Sequence, residues 1–305
     1  MRKLFNFIMT IIVFLLLVCL PALFDDQRFS FLNYLNALKS TFLYIFHPQD
    51  IIFTNKISHV ERSLFPFFIE PWINTIVILF AALLLAFIVS LLFTYLLYVN
   101  DHIKKWYLKI NTVLSIIPDI FYIPFSISLV ILFYRYTDIL LFNVANSSED
   151  KALIFPILVL SIIPLVSSVT FLSSILDDVS RADYIEFSRA KGLSNVELYF
   201  KHILRNLFAS YLINFKHIIW ITLSSLLLLE RIFNMHGLSS FIFDYGSPEV
   251  LFVTFILIYV PVSLAIFMSH KVLFTFTGVR EGYHEEILYT INVTYLACPS
   301  WCDLF

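Results

Sequence analysis

The stretch Leu4 to Phe24 carries no charged residue, and it is only the first of several such runs in this chain. Wound as an α-helix, about twenty residues match the roughly 30 Å hydrocarbon thickness of a bilayer. Inside lipid every backbone N–H and C=O needs a partner within the protein, so only helices and closed barrels span. Continuous apolar runs of this length select the helix, because spanning strands are about half as long and alternate in polarity. Five further runs follow, over residues 72–99, 112–134 and 152–176, a fifth ending near Leu229, and a sixth over 249–269. The chain is 60% hydrophobic and 14% charged, where soluble domains average about 25% charged residues. The expected fold is therefore an all-α integral membrane protein with six transmembrane helices.

Arg2 and Lys3 precede the first run and no small-x-small cleavage pattern follows it, so residues 1–24 read as a first anchor helix rather than a signal peptide. Residues 25–70 mix charges with aromatics and read as an extracytoplasmic loop, part of it lying along the membrane surface. Pro71-Trp72 opens a five-helix core over 71–278. Pro118 and Pro124 in the third run predict a kinked helix there. With the N-terminus inside, twelve Lys or Arg residues fall on inside segments and seven on outside ones, four of the seven in the 25–70 loop. That bias puts both termini in the cytoplasm. Residues 279–305 form a C-terminal tail with no assigned role.

Between the fourth and fifth runs lies a polar island, Ser180 to Asn206, with five basic and three acidic residues. Ser180 with Asp183, and Ser194 with Glu197, have the spacing of a hydroxyl capping a helix start while an acid reaches back. Gly192 stands where a left-handed residue ends a helix. Two short helices are expected, over 181–191 and 195–207, joined by a Gly192-Leu193 turn. In the second, Val196, Tyr199, Phe200, Ile203, Leu204 and Leu207 form an apolar stripe, with Glu197, Lys201 and Arg205 on the opposite face. The charge bias places this island in the cytoplasm.

The order Asp183-Tyr184-Ile185-Glu186-Phe187-Ser188-Arg189-Ala190-Lys191-Gly192-Leu193-Ser194, followed by His202-Ile203-Leu204-Arg205-Asn206, resembles the coupling loop of ABC importer permeases. It is most similar to the dipeptide/oligopeptide/nickel permease family, in which D-Y-I/V-x-x-A-R-A-K-G-L-S and H-x-L-R-N recur at this spacing. Phe187 and Ser188 depart from the family's E-A-A, while Arg189 to Leu193 keep its pattern. Downstream, Glu230-Arg231-Ile232-Phe233-Asn234-Met235-His236-Gly237-Leu238-Ser239 resembles the family's E-x-x-F-x-x-P-G-L-G, with His236 at the Pro position and Ser239 at the last Gly. The resemblance covers roughly residues 110–270. The family's usual D-P-R end is missing.

The resemblance implies a type I ABC importer permease fold in a bacterial cell membrane. It implies a heterodimer with a second homologous permease, two ATPase subunits below, and an extracytoplasmic solute-binding protein above. Asp183, Tyr184, Glu186, Phe187, Arg189, Ala190, Lys191, Gly192 and Leu193 would contact the ATPase. ATP and magnesium would sit on the partner subunits, and membrane lipid is the remaining partner, with no nucleic acid expected. The cargo would be short peptides, or a metal chelate of the nickel type. ATPase closure would push the coupling helices and rock spans three to six between inward- and outward-open states.

The residues themselves exclude other chemistry. Glycines stand only at 192, 237, 246, 278 and 282, so a G-x-x-x-x-G-K-[ST] phosphate loop cannot form and energy must come from another chain. His284-Glu285-Glu286-Ile287-Leu288 lacks the second His of H-E-x-x-H, no G-x-S-x-G occurs, and no catalytic or metal-binding set is expected; Cys298 and Cys302 alone are weak. The chain is not expected to be an enzyme. Lys216, within the fifth run, is a candidate pathway residue, although its side chain could instead snorkel to the inner surface. Glu230, Phe233 and Gly237 are candidate gate residues. A secondary transporter or channel would need inverted repeats or a mid-membrane carboxylate, and neither is evident; a scaffold without transport is the other alternative.

Overall fold

A computed structural model describes residues 2–25, 28–54, 61–114, 117–142 and 153–277. The tail over 279–305, with Cys298, Cys302 and the His284–Leu288 stretch, lies outside the described residues. The chain opens with α1 (Arg2–Val18), a single 3-10 turn and a hairpin of β1 (Phe24–Asp25) and β2 (Arg28–Phe29). Then come α2 (Phe31–Tyr44), a second hairpin of β3 (Ile52–Thr54) and β4 (Glu61–Ser63), and the short α3 (Leu64–Phe67). The remainder is helical: α4 (Ile69–Val99), α5 (Asp101–Leu114), α6 (Tyr122–Thr137), α7 (Ile154–Ser180), α8 (Asp183–Ala190), α9 (Asn195–Leu198), α10 (Leu204–Ile232), α11 (Leu238–Phe243) and α12 (Pro248–Thr277).

Among the described residues four helices are long and apolar enough to cross a membrane: Ile69–Val99, Ile154–Ser180, Asn195–Ile232 and Pro248–Phe276. The first and third expected spans are shorter. Phe7–Leu23 is an apolar helical stretch of 17 residues or fewer, and α6 has 16 residues. The third run is thus corrected: it is not one kinked helix over 112–134. Residues 101–114 form the separate α5, with Lys104, Lys105 and Lys109 on it, and the next α-helix starts only at Tyr122. Proline chemistry accounts for the break. Pro118 has no N–H to extend α5, whereas Pro124 falls in the first turn of α6, where the N–H has no intrahelical partner anyway.

The chain divides into two compact units. The first takes residues up to Ile78 and Leu227–Ser263. Its core gathers Phe53, Leu64, Phe68, Phe233, Leu238 and Phe241, all nearly inaccessible. Phe68 and Phe241 lie 4.6 Å apart between ring centroids, and Phe53 and Tyr245 4.7 Å. Pro261 inside α12 cannot donate to the carbonyl of Leu257 one turn earlier. The indole N–H of Trp72 takes that carbonyl at 2.9 Å, so the proline costs no unmet backbone group.

The second unit takes Leu79 through Leu226, apart from 145–151, and the chain from Leu264. Its core packs Leu79, Ala82, Leu83 and Ala86 of α4 with Leu160, Ile163, Leu172 and Leu176 of α7 as buried side chains. Lys104 of α5 pairs with Asp177 at the end of α7. Asn111 accepts a hydrogen bond from Thr170 at 2.8 Å, further tying α5 to α7.

Candidate functional site

The polar island folds as a locked turn. Ser180 does not cap it. Helix α7 runs past its apolar stretch and absorbs the serine, whose hydroxyl donates to the Asp177 carbonyl at 3.1 Å. The N-cap of α8 is Ala182, with no side-chain cap. At its far end α8 closes in a Schellman turn. Gly192 donates to the Arg189 carbonyl at 2.9 Å and Leu193 to that of Ser188 at 3.4 Å. Gly192 has φ +88°, and a Cβ there would meet nothing within 4 Å. Glycine is required here by backbone conformation alone.

The capping box at Ser194 forms. Its hydroxyl accepts from Glu197 N–H at 3.3 Å, and the Glu197 carboxylate accepts from Ser194 N–H at 3.1 Å. The second helix does not end near 207. It continues through a π turn at Tyr199–Ile203 into α10, so one helix covers Asn195–Ile232. No glycine or proline interrupts that stretch, and a change from polar to apolar residues does not break a helix. The π turn also shifts the face that packs. Leu198, Tyr199, Ile203 and Leu207 are buried, while Val196 and Phe200 of the expected stripe are exposed.

Three anchors fix the turn. Ile185 is fully buried. Tyr199 donates to the Leu91 carbonyl at 2.7 Å and lies 2.9 Å from the Thr94 hydroxyl. Asn206 donates to the Tyr184 hydroxyl at 2.9 Å; burial pushes the Tyr184 phenol pKa up, and this hydrogen bond opposes the shift. With Tyr184 half-buried and Leu193 likewise, the exposed side presents Asp183, Glu186, Phe187, Arg189, Ala190, Lys191 and Gly192. The Phe187 ring is 61% exposed, with the Lys191 ammonium 4.5 Å from its centroid. Arg189 reaches the Tyr98 hydroxyl at 3.4 Å. An apolar ring framed by charges on a rigid turn is suited to seating in another protein's groove.

Glu230 closes a second constellation. The last turn of α10 ends in its own Schellman arrangement, with Asn234 at φ 49° in the left-handed place. Asn234 donates to the Arg231 carbonyl at 3.3 Å and Met235 to that of Glu230 at 2.8 Å. The Glu230 side chain is 1% exposed. Its carboxylate accepts from the Thr75 hydroxyl at 2.5 Å and from Ser239 N–H at 2.9 Å. Thr75 in turn accepts from Leu238 N–H at 3.0 Å. Two orphan N–H groups at the start of α11 are therefore capped by side chains from elsewhere, because Gly237 at the N-cap has none. A Cβ on Gly237 would overlap the Glu230 carboxyl carbon and oxygens. Phe233 is fully buried below this turn, and Arg231 pairs with Asp244 at 2.8 Å.

Lys216 is exposed and lines no described cavity. Its neighbour does. A cavity of about 560 Å³ bordered by the end of α5 and by α6, α7 and α10 is lined by Tyr122, Ser167, Thr170, Ser174, Asn214 and His217, with apolar residues between them. His217 stands beside Lys216 as a basic residue within the fifth run, whereas Asn214 was legible only as a polar position three residues before it, matched by Ser167, Thr170 and Ser174 on α7. Thr75 carried no sequence signal of its own, and Ser239 stood out only as a departure from the family's last Gly. Among the described residues no group of three His, Cys, Asp or Glu side chains is placed to hold a metal ion.

Known proteins share this sequence in part. The chain is 34% identical over 113 residues to the di/tripeptide transport system permease protein DppB of Pseudomonas aeruginosa, covering 36% of this chain and 34% of that protein. It is 31% identical over 116 residues to the dipeptide transport system permease protein DppB of Lactococcus lactis, covering 38% of each. Over those residues the chain is similar to permease proteins of peptide transport systems. The match spans about a third of the length of these curated relatives, and no family model matches. Among the described residues, the locked turn, the Glu230 constellation and the polar cavity bring polar and charged side chains together.

Proposed function

We propose that this chain is one permease half of an ATP-driven importer of short peptides, working by alternating access. One observation carries the reading: the Schellman-locked turn Asp183–Leu193 projects Phe187 and its flanking charges while Ile185, Tyr184 and Tyr199 bind its base. A rigid projection fixed at the foot of two long helices transmits a push to them, whereas a floppy loop absorbs it. Docking on an ATPase subunit supplies the push. The reading adds α1 and α6 as the remaining two spans, with both termini and the turn in the cytoplasm. A sister permease completes the pathway, a solute-binding protein delivers cargo from outside, and the resident membrane is the bacterial cell membrane. Peptide cargo is supported by what the two relatives are named for transporting.

Co-purification tests the docking. Tagged chain expressed with its neighbouring gene products brings down an ATPase subunit, and Phe187→Asp lowers that recovery at least about fivefold, as expected when a charge enters an apolar pocket. Recovery of no ATPase by the unaltered chain overturns the proposal.

The cavity supplies a second test. Peptide backbones need hydrogen-bond partners wherever they leave water, and Asn214 offers both a donor and an acceptor. Asn214→Leu is expected to reduce peptide uptake about fivefold, the equivalent of roughly one hydrogen bond, with the amount of protein in the membrane unaltered. Equal uptake would remove this cavity from the pathway.

A further inference from the structure

Helix α2 is built inside out. Ser30 caps it, accepting from Asn33 N–H at 3.4 Å. The side it turns toward the protein holds Ala37 and Leu38 together with bonded polar residues. Thr41 is buried against the Cys19 sulfur at 3.6 Å, Ser40 donates to Glu249 at 2.9 Å, and the Tyr34 hydroxyl donates to the Leu16 carbonyl at 3.3 Å. The residues it turns away are apolar. Phe31, Leu32, Leu35, Phe42 and Leu43 are each between 46% and 68% exposed. At 3.6 residues per turn they fall in one arc of roughly 120°. Lys39 lies within that arc and Asn36 just beyond its edge.

The placement of α2 is as telling as its polarity. From Tyr34 to Thr41 the helix advances about 10 Å, while its hydrogen bonds to the first helical segment go to Leu16 and Cys19, about 4.5 Å apart along that axis and near its end. Its hydrogen bond from Ser40 reaches Glu249, in the first turn of α12. So α2 runs across the ends of two apolar helices rather than along either. The adjacent α1 also exposes apolar side chains, Val13, Leu16 and Leu17.

We infer that α2 is an interfacial helix, lying flat in the membrane surface with Leu32, Leu35, Phe42 and Leu43 among the acyl chains and Lys39 reaching lipid phosphate. A helix with its apolar stripe outward is stable where the surrounding medium is itself apolar, and helices of this kind seat at the boundary between headgroups and acyl chains. Lys39 fits that depth, because its four-carbon stem lies on apolar surface while the ammonium extends to the headgroup. In this arrangement α2 fixes the height of the first unit in the bilayer. The inference does not depend on transport.

The test places an environment-sensitive NBD probe on Leu35→Cys, and separately on Leu43→Cys, in a full-length chain whose three native cysteines are replaced. Lys201→Cys on the polar turn serves as the water-exposed reference. In phosphatidylglycerol-containing vesicles, both α2 probes are expected to emit at shorter wavelength than the reference. Shallow doxyl-labelled lipid should quench them at least about twofold, while aqueous iodide leaves them unaffected, as for a side chain at the acyl boundary. Quenching by iodide and not by doxyl lipid overturns the inference. Protection from both quenchers also overturns it, since the face would then be covered by a protein partner.

Discussion

Gly192→Val abolishes the coupling of ATP hydrolysis to uptake while leaving the protein in the membrane at its normal amount. The expectation rests on φ +88° at a position with open space around it. A β-branched residue is a strong outlier in that region. Even an unbranched L-residue gives up about 1–2 kcal/mol there. To relieve the strain, the two hydrogen bonds that close α8 onto Gly192 and Leu193 must break, and the projecting turn becomes mobile. The substitution series separates backbone from volume. Asparagine tolerates the left-handed region, so Gly192→Asn retains most uptake, Gly192→Ala loses an intermediate share and Gly192→Val loses nearly all. Asparagine and valine are of similar size, so a steric effect at a docked partner would treat them alike. Transported peptide per ATP hydrolysed, measured with the ATPase and binding protein present, reads the outcome; equal ratios across the series would show that this turn transmits nothing.

What could be read in the sequence divides by distance along the chain. Gly192 and the Ser194–Glu197 box were legible because each requirement is met by residues three or four positions away. The long spans were legible because bilayer thickness fixes their length. The third run was misread because composition shows where residues are apolar and not where a helix can start; Pro118 and Pro124 decided that instead. Ser180 was misread for a similar reason, since α7 continues after its apolar residues stop. In the island's second helix, the π turn at Tyr199–Ile203 moved the packed face off Val196 and Phe200, and such a bulge has no pattern of its own. Lys216 and His217 differ by one residue, about 100° around the helix; only packing decides which of the two meets the cavity. Glu230 and Thr75 are 155 positions apart, so the sequence could mark the acid without showing what it holds.

That last constellation carries the largest expected loss of stability. Gly237 has φ −131° and ψ −177°, an extended conformation open to any residue, so its glycine is demanded by space and not by dihedral angles. The added Cβ of Gly237→Ala would fall on the Glu230 carboxyl. That carboxyl cannot swing aside freely, because Thr75 and Ser239 N–H hold it. Moving it strips partners from a buried carboxyl and a buried backbone N–H, each costing about 1–3 kcal/mol when left unmet. Gly237→Ala is therefore expected to destabilise the first unit by roughly 3 kcal/mol, seen as a lower thermal midpoint in detergent and faster proteolysis between Phe233 and Pro248. Glu230→Asp withdraws the carboxyl by one methylene and weakens both bonds by itself, yet it makes room for the methyl group. The two substitutions should then be strongly non-additive, with the double variant less damaged than the sum of the singles by at least about 1 kcal/mol. If the losses simply add, the close approach of Gly237 to Glu230 is not what holds α11 in place.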